Sequence, residues 1–100
     1  MEAGDIYVAD VGHEQRLRVV VLTSGDFNHR AGRAFVAPQL DGPAEDVPPP
    51  WRISDGDCVY AVDFTLSLAT TRLLERSGTV PERTLRSIRQ VVRRITGQIH

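Results

Sequence analysis

The stretch LRVVVLTSGDFNHRAGRAFVAPQL, residues 17–40, contains two apolar runs on either side of a polar segment. The first run, LRVVVLTS, has a continuous apolar centre, which predicts a strand buried on both faces. GDFNHRAG is rich in turn-forming residues and predicts a loop. RAFVAPQL predicts a second strand, and Pro38 restricts how its far end can pair. The stretch therefore predicts two strands of one sheet, with a permanent cation, Arg18, at the start of the first.

Further strands are predicted on both sides of this stretch. DIYVADV, residues 5–11, alternates with a period of about two, and WRIS, residues 51–54, is at most a short strand. CVYAVDFTLSLA, residues 58–69, also alternates, with one slip that a β-bulge near Asp63 would explain. DGPAEDVPPP, residues 41–50, is acidic and proline-rich, which favours an extended excursion outside the core. TTRLLERSG is compatible with a helical turn or with a short strand.

The C-terminal segment predicts an amphipathic helix. Thr79 and Glu82 have the spacing of a capping box, with Pro81 in the first turn and Gly97 as the C-cap. One apolar face is formed at three- and four-residue spacing by Leu85, Ile88, Val92 and Ile95. Strands followed by one helix predict an α+β fold, a compact antiparallel sheet or small barrel with the helix packed on it. A length of 100 residues favours a single domain, residues 1–100.

Charge is unevenly distributed along the chain, whose formal net charge is −1. Residues 1–69 contain five arginines and eleven acidic residues, whereas residues 70–100 contain seven arginines and two acidic residues. The basic end is a candidate surface for a polyanion, although a solvated helix face explains the same pattern. The chain contains 12 arginines and no lysine, which is typical of a GC-rich genome.

Several classes of protein are disfavoured by the sequence. Cys58 is the only cysteine, which rules out an intramolecular disulfide, and no Cys/His cluster has the spacing of a zinc site. The first ten residues contain acids and no apolar core, so we expect no signal peptide. No apolar stretch has the length of a membrane span. We therefore expect a cytoplasmic protein without a membrane, metal or cofactor requirement.

A collinear set of short motifs carries a family resemblance. The motifs are GDIYVAD at residues 4–10, Glu14-Gln15 followed by RVVVLTS, FNHRAGRAFVAPQ, AVDFTLSLATTRL, and SGTVPERTLRSI. In this order they resemble the MazF/PemK-like toxins of bacterial toxin–antitoxin pairs, which share the fold of CcdB. The resemblance covers almost the whole chain.

The resemblance implies an SH3-like antiparallel β-barrel with a C-terminal helix, assembled as a homodimer. It also implies an endoribonuclease that cuts single-stranded RNA without a metal and leaves a 2′,3′-cyclic phosphate. The implied partner is a cognate antitoxin, a small acidic protein whose partly disordered tail lies across a groove of the toxin.

Four residues are the candidate catalytic groups. Arg18 falls where the family has its catalytic arginine, whose planar, permanently charged fork suits a phosphorane. Val19 stands where the family has proline, and Gln39 stands where it has a threonine or serine. Gln39 has no hydroxyl, so Ser24 or His13 could supply the missing group, since histidine takes part in proton transfer near neutral pH. The alternative for Arg18 is a structural role, either capping the mouth of the barrel or pairing with Glu14, and for Ser24 it is closure of a turn.

Binding of single-stranded RNA requires aromatic platforms and cations together. The candidates are Arg16, Phe27, Arg30, Arg33, Trp51 and Arg52. Trp51 could equally anchor the proline-rich segment. We expect Tyr7, Phe35 and Phe64 to lie in the core, Asp63 to bond backbone or an arginine, and Cys58 to act as a small apolar residue.

Two other functions are compatible with the residues. A non-catalytic module of the CcdB type could inhibit gyrase, or a decayed toxin could retain only antitoxin binding. The Val19 and Gln39 departures favour this class. Against a gyrase inhibitor, the chain ends in TGQIH and lacks the terminal Trp-Gly-Ile that the CcdB type uses on gyrase. An unrelated small barrel is the third possibility.

Overall fold

A computed structural model describes residues 1–41, 51–56 and 58–97. Within these ranges the chain forms seven strands and two α-helices. Their bounds are β1 (Asp5–Gly12), β2 (Gln15–Val21), α1 (Gly25–Ala31), β3 (Arg33–Asp41), β4 (Arg52–Asp55), β5 (Cys58–Ala61), β6 (Leu66–Ala69), β7 (Leu73–Thr79) and α2 (Glu82–Thr96). Short 3₁₀ turns at Val62–Phe64 and Thr70–Arg72 flank β6.

Every strand pair in the sheet is antiparallel. The strand order is β4-β5-β3-β2-β1-β7, and β6 pairs with β3 beside that path. The predicted α+β fold, an antiparallel sheet followed by a C-terminal helix, is therefore confirmed. The path has two ends, β4 and β7, so the strand pairs of the described residues do not close a barrel.

The predicted strand over residues 58–69 is two strands. β5 ends at Ala61, the chain makes the 3₁₀ turn at Val62–Phe64, and β6 begins at Leu66. The Thr65 hydroxyl donates to the Val62 carbonyl at 2.7 Å and fixes this turn. The break lets β5 pair with the end of β3 while β6 pairs with its beginning. The slip in the alternation near Asp63 therefore marks the break between two strands that pair with different parts of β3, and it is not a β-bulge.

The predicted loop between β2 and β3 is the short helix α1. Ser24 caps it, because its Oγ accepts a hydrogen bond from the Phe27 amide at 3.3 Å. Gly32 ends it in the left-handed conformation, with φ of 67°. The buried Asn28 amide donates to the carbonyls of Met1 at 3.2 Å and Thr23 at 3.0 Å, which ties the helix to the chain around it.

α2 matches its predicted span, but its N-terminal cap does not match the prediction. Pro81 occupies the N-cap position without a side-chain hydrogen bond. The Thr79 hydroxyl instead donates to the Gly4 carbonyl at 3.2 Å, which joins the end of β7 to the start of β1. The predicted capping box is therefore wrong. Gly97 is the C-cap, as predicted.

Two apolar clusters lie on opposite faces of the sheet. α2 covers the first, because Ile88 and Val91 pack with Val20, Ala37 and Tyr60. The second cluster is formed by Ala9, Val19, Val21, Ala34, Val36 and Leu73, with Tyr7 packed against it. The alternation of side chains along β2 explains why Val20 belongs to one cluster and its neighbours to the other.

Two of the aromatic residues predicted for the core are exposed. The exposed fraction is 45% for Phe35 and 55% for Phe64. Phe35 lies on the face that α2 covers, but beyond the tightly packed centre of that face. Phe64 lies in the 3₁₀ turn, where the Arg52 guanidinium sits 5.1 Å from the centre of its ring.

Candidate active site

Three polar residues form a row across three neighbouring strands. The β2–β3 pairing includes Val20 with Ala37 and ends with Val19 and Pro38. Arg18 and Gln39 are the next residues along the two strands, so by alternation they lie on the face of Val20 and Ala37. On its other side β3 pairs with β5, where Gln39 is the partner of Tyr60. Residues directly opposite in an antiparallel sheet share a face. Arg18, Gln39 and Tyr60 therefore point to the same face of the sheet.

This row lies at the edge of the face that α2 covers. Val20, Ala37 and the Tyr60 ring lie in the cluster beneath the helix. One step further along the strands, Gln39 is half-buried and Arg18 is exposed. Cys58 and Asp55 are cross-strand partners on β5 and β4, two positions beyond Tyr60. We call Arg18, Gln39, Tyr60, Cys58 and Asp55 the rim cluster.

The Tyr60 side chain joins the apolar core to the rim. Its exposed fraction is only 2%, and its pKa is raised above the ordinary value of 10.0. Burial is the largest cause, and the Cys58 sulfur and the Asp55 carboxylate add to it by repelling a developing phenolate charge. The Arg18 guanidinium acts in the opposite direction. The hydroxyl therefore lies within electrostatic reach of Arg18 and stays protonated at neutral pH.

Arg18 meets the geometric requirement for a positioned cation. Its backbone pairs with Val8 of β1, and the next residue of β2, Val19, pairs with Pro38 of β3. None of the ion pairs among the described residues includes Arg18, so the expected alternative of a pair with Glu14 is not formed. The guanidinium is exposed on a rigid strand, where an anion can reach it.

Gln39 is oriented by a contact within the rim cluster. Its side-chain Nε2 donates to the Cys58 Sγ at 3.1 Å. Cys58 is half-buried, in keeping with its expected role as a small apolar residue, but it also fixes the amide. The amide group can bind a phosphate or a base edge and cannot act as a base.

Arg16 is the predicted RNA-binding residue nearest to Arg18. It lies two residues away on the same strand and face, at a separation of about 7 Å along the chain. His13 lies further out, in the two-residue turn between β1 and β2, where it and Glu14 both have positive φ values of 53° and 60°. Its Cα is separated from Arg18 by at least about 10 Å of strand, so the structure does not bring His13 into the rim cluster.

The other end of the β2–β3 pair carries a different group of predicted residues. Ser24 and Phe27 belong to the cap and first turn of α1. Arg30 pairs with Asp26 on the same helix at 2.9 Å. Arg33 is tied to Ser67 of β6, donating to its hydroxyl at 2.9 Å and to its carbonyl at 3.0 Å. None of these four residues lies near Arg18.

Trp51 and Arg52 lie at the start of β4, whereas Asp55 of the rim cluster lies at its end. Trp51 is exposed, with a fraction of 38%. Arg52 is engaged on both sides, by the Asp63 carboxylate at 3.2 Å and by the Phe64 ring. The expectation that Asp63 bonds an arginine is confirmed.

A cavity of about 510 Å³ opens at the end of the α2-covered face opposite the rim cluster. Its lining includes Leu22, Phe35, Val92 and Ile95, and it is bordered by Asp63, Arg89 and Arg93. Phe35 is separated from Gln39 by four residues of β3, about 14 Å. Phe27 packs edge-to-face on Phe35, with ring centres 5.8 Å apart. We call Phe27, Phe35 and Ile95 with this cavity the apolar face.

No sequence motif marks Tyr60 or Asp55. Alternation along residues 58–69 predicts that Val59 and Ala61 face the core and that Tyr60 faces away from it, whereas Val59, Tyr60 and Ala61 are all buried. The register between β3 and β5, which sets Tyr60 beside Gln39, carries no signal in a single sequence.

No group of three or more histidine, cysteine, aspartate or glutamate side chains in the described ranges converges as a metal site would require. Of the helices in the same ranges, none combines the length and the apolar character needed to cross a bilayer.

The chain resembles several solved structures over nearly its whole length. A MazE–MazF complex from Deinococcus radiodurans contains a chain that is 18% identical, with a TM-score of 0.80, covering 99% of this chain and 97% of that one. An endoribonuclease in complex with its cognate antitoxin from mycobacterial species is 14% identical, with a TM-score of 0.83, and the match covers 100% of this chain and 98% of that one. The Mycobacterium tuberculosis toxin MazF-mt6 is 17% identical in sequence, with a TM-score of 0.67, and the match covers 92% of this chain and 95% of that one.

No protein-family model and no curated protein matches the sequence. At such low identities the likeness concerns the fold, and the folds agree from the first strand to the last helix.

Proposed function

We propose that this chain, which has the fold of the MazF toxins, is the toxin of a toxin–antitoxin pair and cuts single-stranded RNA. The observation that carries the proposal is the exposed position of the Arg18 side chain. Its guanidinium is exposed and free of ion pairs among the described residues, and the sheet holds it beside Gln39 and Tyr60. The likeness to an endoribonuclease in complex with an antitoxin supports the same activity.

The proposed reaction is attack of a ribose 2′-oxygen on the adjacent phosphorus. The new O2′–P bond forms as the P–O5′ bond breaks, which leaves a 2′,3′-cyclic phosphate and a free 5′-hydroxyl. Negative charge accumulates on the non-bridging oxygens of the phosphorane. The Arg18 guanidinium stabilises that charge, and the strand fixes the backbone position from which the side chain reaches the phosphate. Since arginine supplies the charge, the reaction proceeds without a metal ion.

Arg16 supplies the second phosphate contact in this proposal. It follows the line of β2 at about the spacing of successive backbone phosphates, and it is exposed. The other predicted RNA-binding residues, Phe27, Arg30, Arg33, Trp51 and Arg52, lie away from Arg18, so a single strand of RNA would need several nucleotides to reach them.

We assign the apolar face to a homodimer. Two exposed apolar side chains, Phe35 and Ile95, line the cavity, and Phe27 packs on Phe35. Their exposed fractions are 45%, 44% and 41% in that order. A chain of 100 residues has a small core relative to its surface and gains stability by covering such a patch. The border carries both charge signs, Asp63 on one side and Arg89 and Arg93 on the other, which suits two copies related by a two-fold axis.

The proposed antitoxin is an acidic peptide segment that competes with RNA for Arg16 and Arg18. Complexes of this fold with an antitoxin support such a partner. Binding of carboxylates to these two arginines would block the phosphate site directly, so toxin and antitoxin would exclude one another from the same surface.

Gln39 favours a second candidate function, a non-catalytic module of the same fold. The residue has no hydroxyl, and its amide is engaged by Cys58. In this alternative the rim cluster binds an anionic partner without cutting it.

Incubation of the purified protein with a long single-stranded transcript, in the presence of EDTA, tests the proposal. We expect discrete cuts whose 5′ fragments end in a 2′,3′-cyclic phosphate. We also expect growth arrest with loss of mRNA when the chain is expressed alone in bacteria. Binding of the transcript without any cut would favour the non-catalytic module, and growth arrest with intact mRNA and damaged DNA would favour a gyrase inhibitor.

A further inference from the structure

The rim cluster contains one neutral hydroxyl beside the proposed catalytic arginine. The hydroxyl belongs to Tyr60, the direct cross-strand partner of Gln39. Arg18 and Gln39 each lie one residue beyond the last β2–β3 pair, Val19 with Pro38, and on the same face. The three side chains therefore share one face, with Gln39 between the cation and the phenol.

The Tyr60 ring is fixed more firmly than a surface side chain would be. It packs in the cluster with Val20, Ala37, Ile88 and Val91 beneath α2. A ring held in a packed core has lost its rotational freedom before any substrate arrives, which is the requirement for a pre-organised donor.

The Tyr60 hydroxyl points out of the core towards the polar rim. The ring is buried, since the exposed fraction of the whole residue is 2%. Arg18, Asp55 and Cys58 all lie near enough to influence its ionisation.

We propose that the Tyr60 hydroxyl is a catalytic residue of the RNA cleavage, donating a hydrogen bond to a non-bridging phosphoryl oxygen beside the Arg18 guanidinium. The inference rests on the proposed function. No proton is transferred to the substrate by Tyr60: the O2′–P bond forms, the P–O5′ bond breaks, the 2′-hydroxyl proton leaves to water, and water protonates the departing O5′. The role of Tyr60 is to share the charge of the phosphorane.

The other members of the rim cluster are less suited to this task. Asp55 is an acceptor when ionised and repels a phosphate. A thiol such as Cys58 is a weak hydrogen-bond donor, and its sulfur already accepts from Gln39. The neutral phenol donates a strong hydrogen bond, and because its pKa is raised it keeps its proton across the physiological pH range.

The test is a comparison of Tyr60→Phe with the wild type on a short RNA that spans one mapped cut site. The substitution deletes only the hydroxyl. We expect kcat to fall by about 10²-fold with KM unchanged, as for removal of one donor to a transition-state oxyanion. Binding of the same oligonucleotide with a 2′-deoxy sugar at the cut site should stay within about twofold of the wild type, because the hydrogen bond acts in the transition state. Tyr7→Phe, on β1 against the other apolar cluster, is the matched control and should cleave as the wild type does.

Three results would overturn the role of Tyr60. The first is cleavage by Tyr60→Phe at the wild-type rate. The second is a rise in KM at constant kcat, which indicates ground-state binding. The third is a limb of the wild-type pH–rate profile between pH 6 and about 9 that Tyr60→Phe lacks, since it would make Tyr60 a proton-transfer group. Failure of the proposed function is distinguishable, because the wild type itself would then leave the RNA uncut.

Discussion

Gln39 and Tyr60 are direct partners across β3 and β5, and the Gln39 amide donates to the sulfur of Cys58, two residues before Tyr60. This pairing sets a fixed amide between the Arg18 guanidinium and the only neutral hydroxyl of the rim cluster. The polar row is continuous with the apolar cluster beneath α2, so the packing of the core positions the candidate site.

Replacement of Gln39 by glutamate should impair cleavage. A carboxylate on the same face as Arg18 and one strand away would neutralise the guanidinium and repel the phosphate. We expect the rate with a single-stranded transcript to fall by at least about tenfold for Gln39→Glu. Gln39→Met, of similar length and without charge, is the control and should be impaired less. Equal rates for the two variants would show that the charge at this position does not matter.

Tyr60 should make the protein less stable at alkaline pH. Its pKa is raised in the folded state above the ordinary 10.0, so from about pH 10 upwards the unfolded chain releases this proton while the folded chain retains it. The free energy of unfolding therefore falls as the pH rises from about 10 through the raised value. Urea unfolding between pH 8 and 11 measures the slope. Tyr60→Phe should show a shallower decline than the wild type, and parallel curves would contradict the expectation.

The strands and the last helix could be predicted because their patterns are local. The run Val19–Val21 and the spacing of Leu85, Ile88 and Val92 each reflect the period of one element. The sequence also contains a helix N-cap signal for α1, because Ser24 is followed by Asp26 in the first turn. The glycines at both ends of the segment, Gly25 and Gly32, outweigh this signal and favour a loop. Gly32 is the C-cap of the helix.

The rim cluster could be predicted only in part. Arg18 and Gln39 were found through the family resemblance, whereas Tyr60 joins them through the register of β3 and β5, whose paired residues are 17 or more positions apart in sequence. Of the acidic, proline-rich segment predicted to be extended, residues 41–50, Asp41 ends β3 and residues 42–50 lie outside the described residues. Ser24 and His13 are near Arg18 in sequence, but β2 extends away from it in both directions and separates them.

Ser24 should act as a helix cap with no part in the chemistry. Its Oγ accepts the Phe27 amide of α1, and loss of a serine N-cap costs about 1 kcal/mol. We expect Ser24→Ala to lower the free energy of unfolding by about that amount and to cleave RNA at the wild-type rate. Ser77→Ala, at an exposed position of β7, is the control for stability. A large loss of cleavage in a folded Ser24→Ala protein would contradict the assignment.

Phe35 should be needed for self-association. A carboxylate in the middle of the apolar face would have to be buried in the proposed dimer, which is costly. We expect Phe35→Asp to be monomeric by light scattering coupled to size exclusion, at concentrations where the wild type is dimeric.

Leu74→Asp provides the matched control for this change. Leu74 is also an exposed apolar residue, with a fraction of 50%, but it lies on β7 and outside the apolar face. This variant should remain dimeric. A monomeric wild type, or a dimer that survives Phe35→Asp, would contradict the assignment of the apolar face.

The charge at Arg18 is tested most directly by the single-turnover rate of RNA cleavage by Arg18→Ala in EDTA, with Arg30→Ala as the matched control. Arg30 is an exposed arginine whose ion pair with Asp26 lies on α1, away from the rim cluster. We predict a loss of about 10³-fold for Arg18→Ala, partial activity for Arg18→Lys, and a rate within about twofold of the wild type for Arg30→Ala. Cleavage by a folded Arg18→Ala protein at the wild-type rate would contradict the account.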